Sequence, residues 1–172
     1  GLEMLTAVEK FNDKITAEGR PPVGMGAGIN TGLGYLGEMG STARHSYDVL
    51  GDSVSTAARI ESKCKEYGCL LLVGEETVSR CNPEEFLFLK VDDLAVKGKS
   101  VGVGIYTVLD LVKDKYNKPA EMHEAMHSNY QKQNFDKAIK ICNDLMDCFE
   151  GQMQGYYKMW IERCEYMKTQ DL

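Results

Sequence analysis

The sequence predicts an α+β domain followed by a helical tail, and two observations carry that reading. As far as Leu111, strand-like apolar runs alternate with segments whose apolar residues recur at helical spacing. Beyond a charged linker, Lys113 to Pro119, every apolar residue falls at helical spacing. The chain therefore divides at residues 1–112 and 113–172, and its 172 residues suffice for one complete domain, or for part of one plus an appendage.

Taken in order, Leu2, Leu5, Ala7, Val8, Phe11 and Ile15 mark a first helix, which Gly19-Arg20-Pro21-Pro22 ends. A strand is predicted over Val23 to Thr31. Glycines 24, 26 and 28 within it imply close approach by another backbone or a ligand. Gly32 to Gly40 reads as a turn and a second short strand, and Ser41 to Ser46 as a polar loop. Tyr47 to Leu50 is a short strand that Gly51 breaks. Asp52 is the predicted N-cap of a helix with apolar positions Val54, Ala57, Ala58 and Ile60, ending near Gly68.

The continuous apolar run Cys69 to Val73 predicts a buried strand, followed by a short helix over Glu75 to Cys81. Phe86 to Leu89 begins another strand and Val101 to Leu109 is the last, with Val96-Lys97-Gly98-Lys99 between them. Three helices then follow, marked by Tyr130, by Phe135 to Met146 and by Tyr156 to Cys164. Asn134-Phe-Asp-Lys-Ala-Ile opening into an aromatic-rich helix looks like one tetratricopeptide-type unit. A single unit cannot bury its own face, so it should pack on the preceding domain or on a partner.

The net charge of −6 argues against nucleic acid as a partner, since neutralising phosphates needs a basic face. No apolar run approaches the roughly 18 residues of a membrane span. No cleavable leader opens the chain, and Gly1-Leu2-Glu3-Met4 looks cut from something longer. Six cysteines without a C-x-x-C pair read as small buried hydrophobes in a reduced interior.

Three groups of residues can carry chemistry. Ser55 and Arg59 project from one face of a helix whose surrounding residues, Val54-Ser-Thr-Ala-Ala58, are small and leave room. A guanidinium so placed suits phosphate oxygens; it can equally pair with Glu61. Lys97 and Lys99 flank a glycine on a tight turn, where they either reach a phosphate chain or are simply solvated. Asp48, on a short strand, can accept a hydrogen bond from the amino group of a base or serve as an edge-strand charge.

The spacings G-I-N-T-G, G-x-x-G-S, R-x-x-Y, L-G-D-x-V, A-A-R-I-E and V-K-G-K, with a strand ending Ile-Tyr-Thr-Val, occur in order from Gly28 to Val108. Jointly they resemble the C-terminal part of a class III nucleotidyl cyclase catalytic domain. The resemblance implies a ferredoxin-like antiparallel sheet with helices, and a head-to-tail homodimer with active sites between the protomers. One protomer supplies two metal-binding aspartates and the other recognises the base and stabilises the transition state. The substrate implied is a nucleoside triphosphate, converted to a 3',5'-cyclic nucleotide and pyrophosphate. Arg59 would lie against the phosphates, and Lys97 and Lys99 would hold the terminal ones. Asp48 matches the position where adenylyl cyclases place an aspartate against the adenine amino group, so ATP is favoured over GTP.

Two departures qualify the match. Ser55 stands where the family usually has an asparagine that orients the ribose, and a hydroxyl offers one donor where an amide offers two. The elements that carry the ligands for Mg2+ or Mn2+ have no counterpart before Leu2, so the fragment alone is expected to be inactive. The tail resembles the appendage of bacterial cyclases that follow a sensor and membrane spans. That implies a cytoplasmic location, with any membrane attachment through absent upstream segments. The alternative function is a non-catalytic regulatory cyclase-like module.

Two other motifs compete. His123-Glu124-Ala125-Met126-His127 satisfies the H-E-x-x-H pattern of zinc peptidases, with Glu150 or Glu162 as a third ligand, or else it is an exposed helix carrying two histidines. Gly32-Leu-Gly34-Tyr-Leu-Gly37 fits G-x-G-x-x-G but opens no helix, so it reads as a hairpin rather than a dinucleotide site.

Overall fold

The apolar run after Gly68 becomes an interior strand of the sheet. In the computed structural model, which describes residues 1–41, 44–95, 102–111 and 113–170, the first half of the chain forms α1 (Leu2–Ala17), β1 (Ala27–Ile29), β2 (Tyr35–Ser41), β3 (Arg44–Leu50), α2 (Asp52–Ser62), α3 (Cys64–Tyr67), β4 (Leu71–Gly74) and α4 (Glu75–Arg80). There follow β5 (Leu87–Leu94), β6 (Val103–Leu109), a 3-10 turn (Lys113–Tyr116), α5 (Asn117–Gln131), α6 (Phe135–Leu145) and α7 (Gln154–Lys168). The predicted α+β class and the three tail helices are what the chain adopts.

Four strands form one sheet in the order β1-β4-β6-β5, while β2 and β3 form a separate two-stranded ribbon. The larger sheet is mixed, because β1 pairs parallel with β4 and the other two pairings are antiparallel. The parallel pairing follows from the connection: ribbon and α2 carry the chain across one face before β4 returns it beside β1.

Three local expectations need correction. The strand predicted from Val23 contracts to Ala27–Ile29, because Leu71, the first residue of β4, lies opposite Ala27. The earlier segment bonds to α1 instead, where the Asn12 amide exchanges two hydrogen bonds with the Val23 backbone at 2.8 and 2.9 Å. The predicted polar loop from Ser41 to Ser46 is mostly strand, since β2 runs to Ser41 and β3 starts at Arg44. Gly51, not Asp52, is the N-cap of α2, and Asp52 is its first helical residue, where a carboxylate favours the helix dipole. The predicted turn Val96 to Lys99 lies outside the described residues.

The tail shares its core with the sheet. Ile60, Leu72, Leu89, Val91 and Ile105 pack in one buried cluster with Met126, Leu145, Phe149, Tyr156 and Trp160. The tail helices thus bury their apolar faces against the sheet. The docking point is β5, an edge strand whose register shifts between Lys90 and Asp92. An edge leaves a row of backbone groups without a strand partner, and the tail supplies partners here. The Lys90 carbonyl accepts from His123 Nε2 at 2.6 Å and His127 Nε2 at 3.0 Å, and the Val91 carbonyl accepts from the Tyr156 hydroxyl at 2.8 Å. Asp92 accepts from the Tyr67 hydroxyl and from Arg163 Nη1, each at 2.7 Å. Burial opposes charge on Asp92, but these hydrogen bonds outweigh it and hold the carboxyl below the usual range.

The opposite face of the sheet is thinly covered. Leu71, Val73 and Val108 meet Leu2 and Leu5 of α1, and a cavity of about 740 Å³ remains between them. All six cysteines are free, four of them buried. Among the described residues no helix is long and apolar enough to cross a membrane.

Candidate active site

The helix that carries Ser55 and Arg59 is set on the sheet by a glycine. A Cβ on Gly28 would lie 2.4 Å from the Glu61 backbone nitrogen and 2.5 Å from the Ala57 carbonyl oxygen. The glycine in this strand therefore answers the approach of a helix backbone, one of the two causes its composition implied. Because both obstacles are main chain, no rotamer change relieves them. Gly28→Val should lift α2 from the sheet and cost about 2–3 kcal/mol. Thermal unfolding would register this as a drop of roughly 5–10 °C.

The start of α2 is fixed by the loop before β2. Gly51 has φ 152°, and a Cβ there would meet the Leu33 carbonyl at 2.7 Å. The Ser53 hydroxyl donates to that same carbonyl at 2.6 Å. From the end of β1, the Asn30 amide donates to the Ser53 carbonyl at 3.1 Å, and the Thr31 hydroxyl meets that of Thr77 at 2.9 Å. Helix, ribbon base and strand end are thus joined through side chains that sequence reasoning did not single out. In the Gly-Ile-Asn-Thr-Gly motif the glycines were informative and the polar pair between them was not.

On this support Arg59 is exposed on the outer side of α2, as is Ser55. Among the described residues no carboxylate pairs with Arg59, and Glu61 is not its partner. The Ser55 hydroxyl donates back along its own helix to the Gly51 carbonyl at 3.4 Å. Asp48 is exposed on β3, and its carboxylate accepts from the following Val49 amide at 2.7 Å. Directly across the ribbon stands Gly37, where a Cβ would have nothing within 4 Å. Asp48 therefore has open space beside it on its own face. Lys97 and Lys99 lie outside the described residues.

The ribbon itself is poorly covered. Tyr35, Tyr47, Leu36 and Leu50 are 75%, 70%, 63% and 55% exposed, on a two-stranded element that is marginal in water by itself.

The H-E-x-x-H segment is not the exposed helix face that the sequence allowed, nor a metal site. His123 is fully buried, with Nδ1 at 2.8 Å from the Tyr157 hydroxyl and Nε2 on the Lys90 carbonyl. A carbonyl only accepts, so Nε2 carries the proton in both histidines. Burial pushes the His123 imidazole down to about 3, with His127 adding to the effect, and burial also lowers His127. Glu150, one suggested third ligand, instead accepts from the Tyr116 hydroxyl at 2.6 Å. Among the described residues no group of three or more His, Cys, Asp or Glu is placed to hold a metal ion. The Mg2+ or Mn2+ implied by the resemblance therefore has no ligand set among the described residues.

A mixed sheet with α2 laid across β1 and β4, and a protruding ribbon before it, defines a class of protein. The model of the adenylate and guanylate cyclase catalytic domain matches residues 1–110, and the chain belongs to that family. It is 38% identical over 111 residues to an adenylate cyclase of Anabaena cylindrica, covering 61% of this chain and 22% of that protein. It is 30% identical over 157 residues to a terminal-differentiation-specific adenylate cyclase of Dictyostelium discoideum, covering 86% of this chain and 7% of that protein. The second similarity extends past the family match into the helical tail. Among solved structures, the adenylyl cyclase CyaB from P. aeruginosa superimposes with a TM-score of 0.56 at 29% identity, over 66% of this chain and 57% of that one. The chain thus spans about a fifth or less of the length of these two curated relatives.

Proposed function

We propose that this chain is the base-recognising and transition-state-stabilising half of a nucleotidyl cyclase that converts ATP, in preference to GTP, to a 3',5'-cyclic nucleotide and pyrophosphate. The observation that carries the reading is Arg59: an exposed guanidinium without a described ion-pair partner, on a helix locked to the sheet by Gly28. In the reaction the ribose 3'-oxygen bonds to the α-phosphorus as the bond to the bridging oxygen of pyrophosphate breaks. Negative charge grows on the leaving oxygens, and a fixed guanidinium stabilises it without reorganising. Asp48, with Gly37 opposite, accepts from the adenine amino group. Lys97 and Lys99 contact the terminal phosphates.

The site is completed by a second copy. The exposed Tyr35, Leu36, Tyr47 and Leu50 of the ribbon make it the arm that engages the partner. Members of this family depend on a divalent metal, Mg2+ or Mn2+, which supplies Lewis-acid chemistry when bound. Its ligands are proposed to come from residues upstream of this chain.

The test is cyclic nucleotide formation from ATP and from GTP with Mn2+ present, on the longest natural polypeptide containing the chain. Product from ATP at the higher kcat/KM supports the reading, and preference for GTP removes the role given to Asp48. One observation favours the regulatory alternative: the Ser55 hydroxyl is turned back on Gly51 rather than outward. If that polypeptide is inert and Ser55→Asn restores turnover, the native domain is regulatory.

A further inference from the structure

Asn30, the residue after β1, stands beside Gly74, the last residue of β4, because the two strands run in parallel register with Ile29 opposite Val73. A Cβ added to Gly74 would lie 2.3 Å from Asn30 Oδ1 and 3.2 Å from its Cγ. The amide of Asn30 therefore occupies the space that glycine leaves. Beyond it, Nδ2 donates to the Ser53 carbonyl in the first turn of α2. That turn lacks a side-chain N-cap, so the bond from Asn30 is one of the few polar ties holding it.

We infer that Asn30 is a positioning residue for the reaction, acting through α2, with Gly74 as the gap that lets it reach. This rests on the cyclase reading of Ser55 and Arg59. The second half of the helix is seated on the sheet by Gly28 against Ala57 and Glu61 and by buried Ile60, and its first turn is tied by Asn30 to the Ser53 carbonyl and by the Ser53 hydroxyl to the Leu33 carbonyl. Without the Asn30 bond the first turn keeps only its tie to the Leu33 loop, which is not part of the larger sheet, and shifts relative to the seated second half. Ser55, close to the loosened end, is displaced more than Arg59, which lies in the seated half. Substrate binding is not built on α2 alone, so the loss falls on the chemical step.

The expected result for Asn30→Ala is a kcat lower by about 10- to 100-fold with KM changed by less than about threefold, the signature of a misplaced group rather than a lost binding contact. Gly74→Ala should give the same split, since its methyl occupies the path of the Asn30 side chain. The pair is decisive together. In the Asn30→Ala background the methyl at position 74 no longer meets an amide, so the double variant should be little worse than Asn30→Ala alone.

The experiment is this double-mutant cycle in the longest natural polypeptide, read as kcat and KM, with amide hydrogen exchange over Val54 to Thr56 measured on the same four proteins. Non-additive kcat losses with faster exchange in both single variants support the inference. Additive losses, or an Asn30→Ala kcat equal to wild type, overturn it. The two readings fail separately. If the wild-type protein forms no cyclic nucleotide the cyclase reading falls, whereas unchanged exchange at Val54 to Thr56 removes the tie whatever the activity.

Discussion

Arg59→Ala should lower cyclic nucleotide formation by about 10²-fold or more while leaving the thermal midpoint at its wild-type value. In the role proposed for Arg59 it is the charged donor facing the developing negative charge, and losing such a donor typically costs this much in rate. The unchanged stability follows from exposure: the guanidinium makes no described ion pair, and such surface changes stay within about 0.5 kcal/mol. An arginine with a structural task would show the reverse, a fall in midpoint with activity in proportion. Kinetics and thermal unfolding on one preparation distinguish the two.

The second large effect concerns the tail. The chain should lose stability as pH falls from 6.5, before ordinary carboxylates titrate. His123 is fully buried and its pKa lies at about 3, with burial the main cause. Its unfolded value is about 6.5, so between these limits the unfolded chain takes up a proton that the folded chain refuses. Stability is complete above the unfolded value and declines by about 1.4 kcal/mol per pH unit for this one group as acid is added. His127 contributes with the same sign, since burial lowers it as well. Lys90, Asp92 and Asp93 on β5 are the charged groups facing the pair. Asp92 titrates below the usual carboxylate range and so acts later in the descent. Chemical denaturation at pH 6.5 and pH 5 should differ by about 2 kcal/mol or more, and His123→Gln should flatten that slope. A wild-type stability that is level across this interval would mean the imidazoles are hydrated.

How far the sequence foretold the structure depended on whether one face of an element meets a core. Cys69 to Val73, an apolar run between glycines, produced an interior strand, and the tail helices kept their periodicity because each buries one side. The ribbon did not follow this pattern. Ser41 and Arg44 to Ser46 are strand although their sequence does not alternate, because the pairing of β2 with β3, which the sequence pattern does not show, is what defines them. His123 and His127 were unreadable for another reason. Two histidines at helical spacing look exposed or metal-bound until the carbonyl of Lys90, far away in sequence, supplies their partner. At the candidate site the spacing of Ser55 and Arg59 was plain. The bond from Asn30 to Ser53 was not, since it depends on Gly74 standing beside β1 in the folded sheet.

The most direct measurement is a crystal structure of the longest natural polypeptide with a non-cyclisable ATP analogue and a divalent metal. The triphosphate should lie between two protomers, with Arg59 of one reaching a phosphate oxygen and Asp48 facing the adenine amino group. A triphosphate bound elsewhere, with Arg59 paired to a carboxylate of its own subunit, would contradict the assignment of this surface as the catalytic half-site.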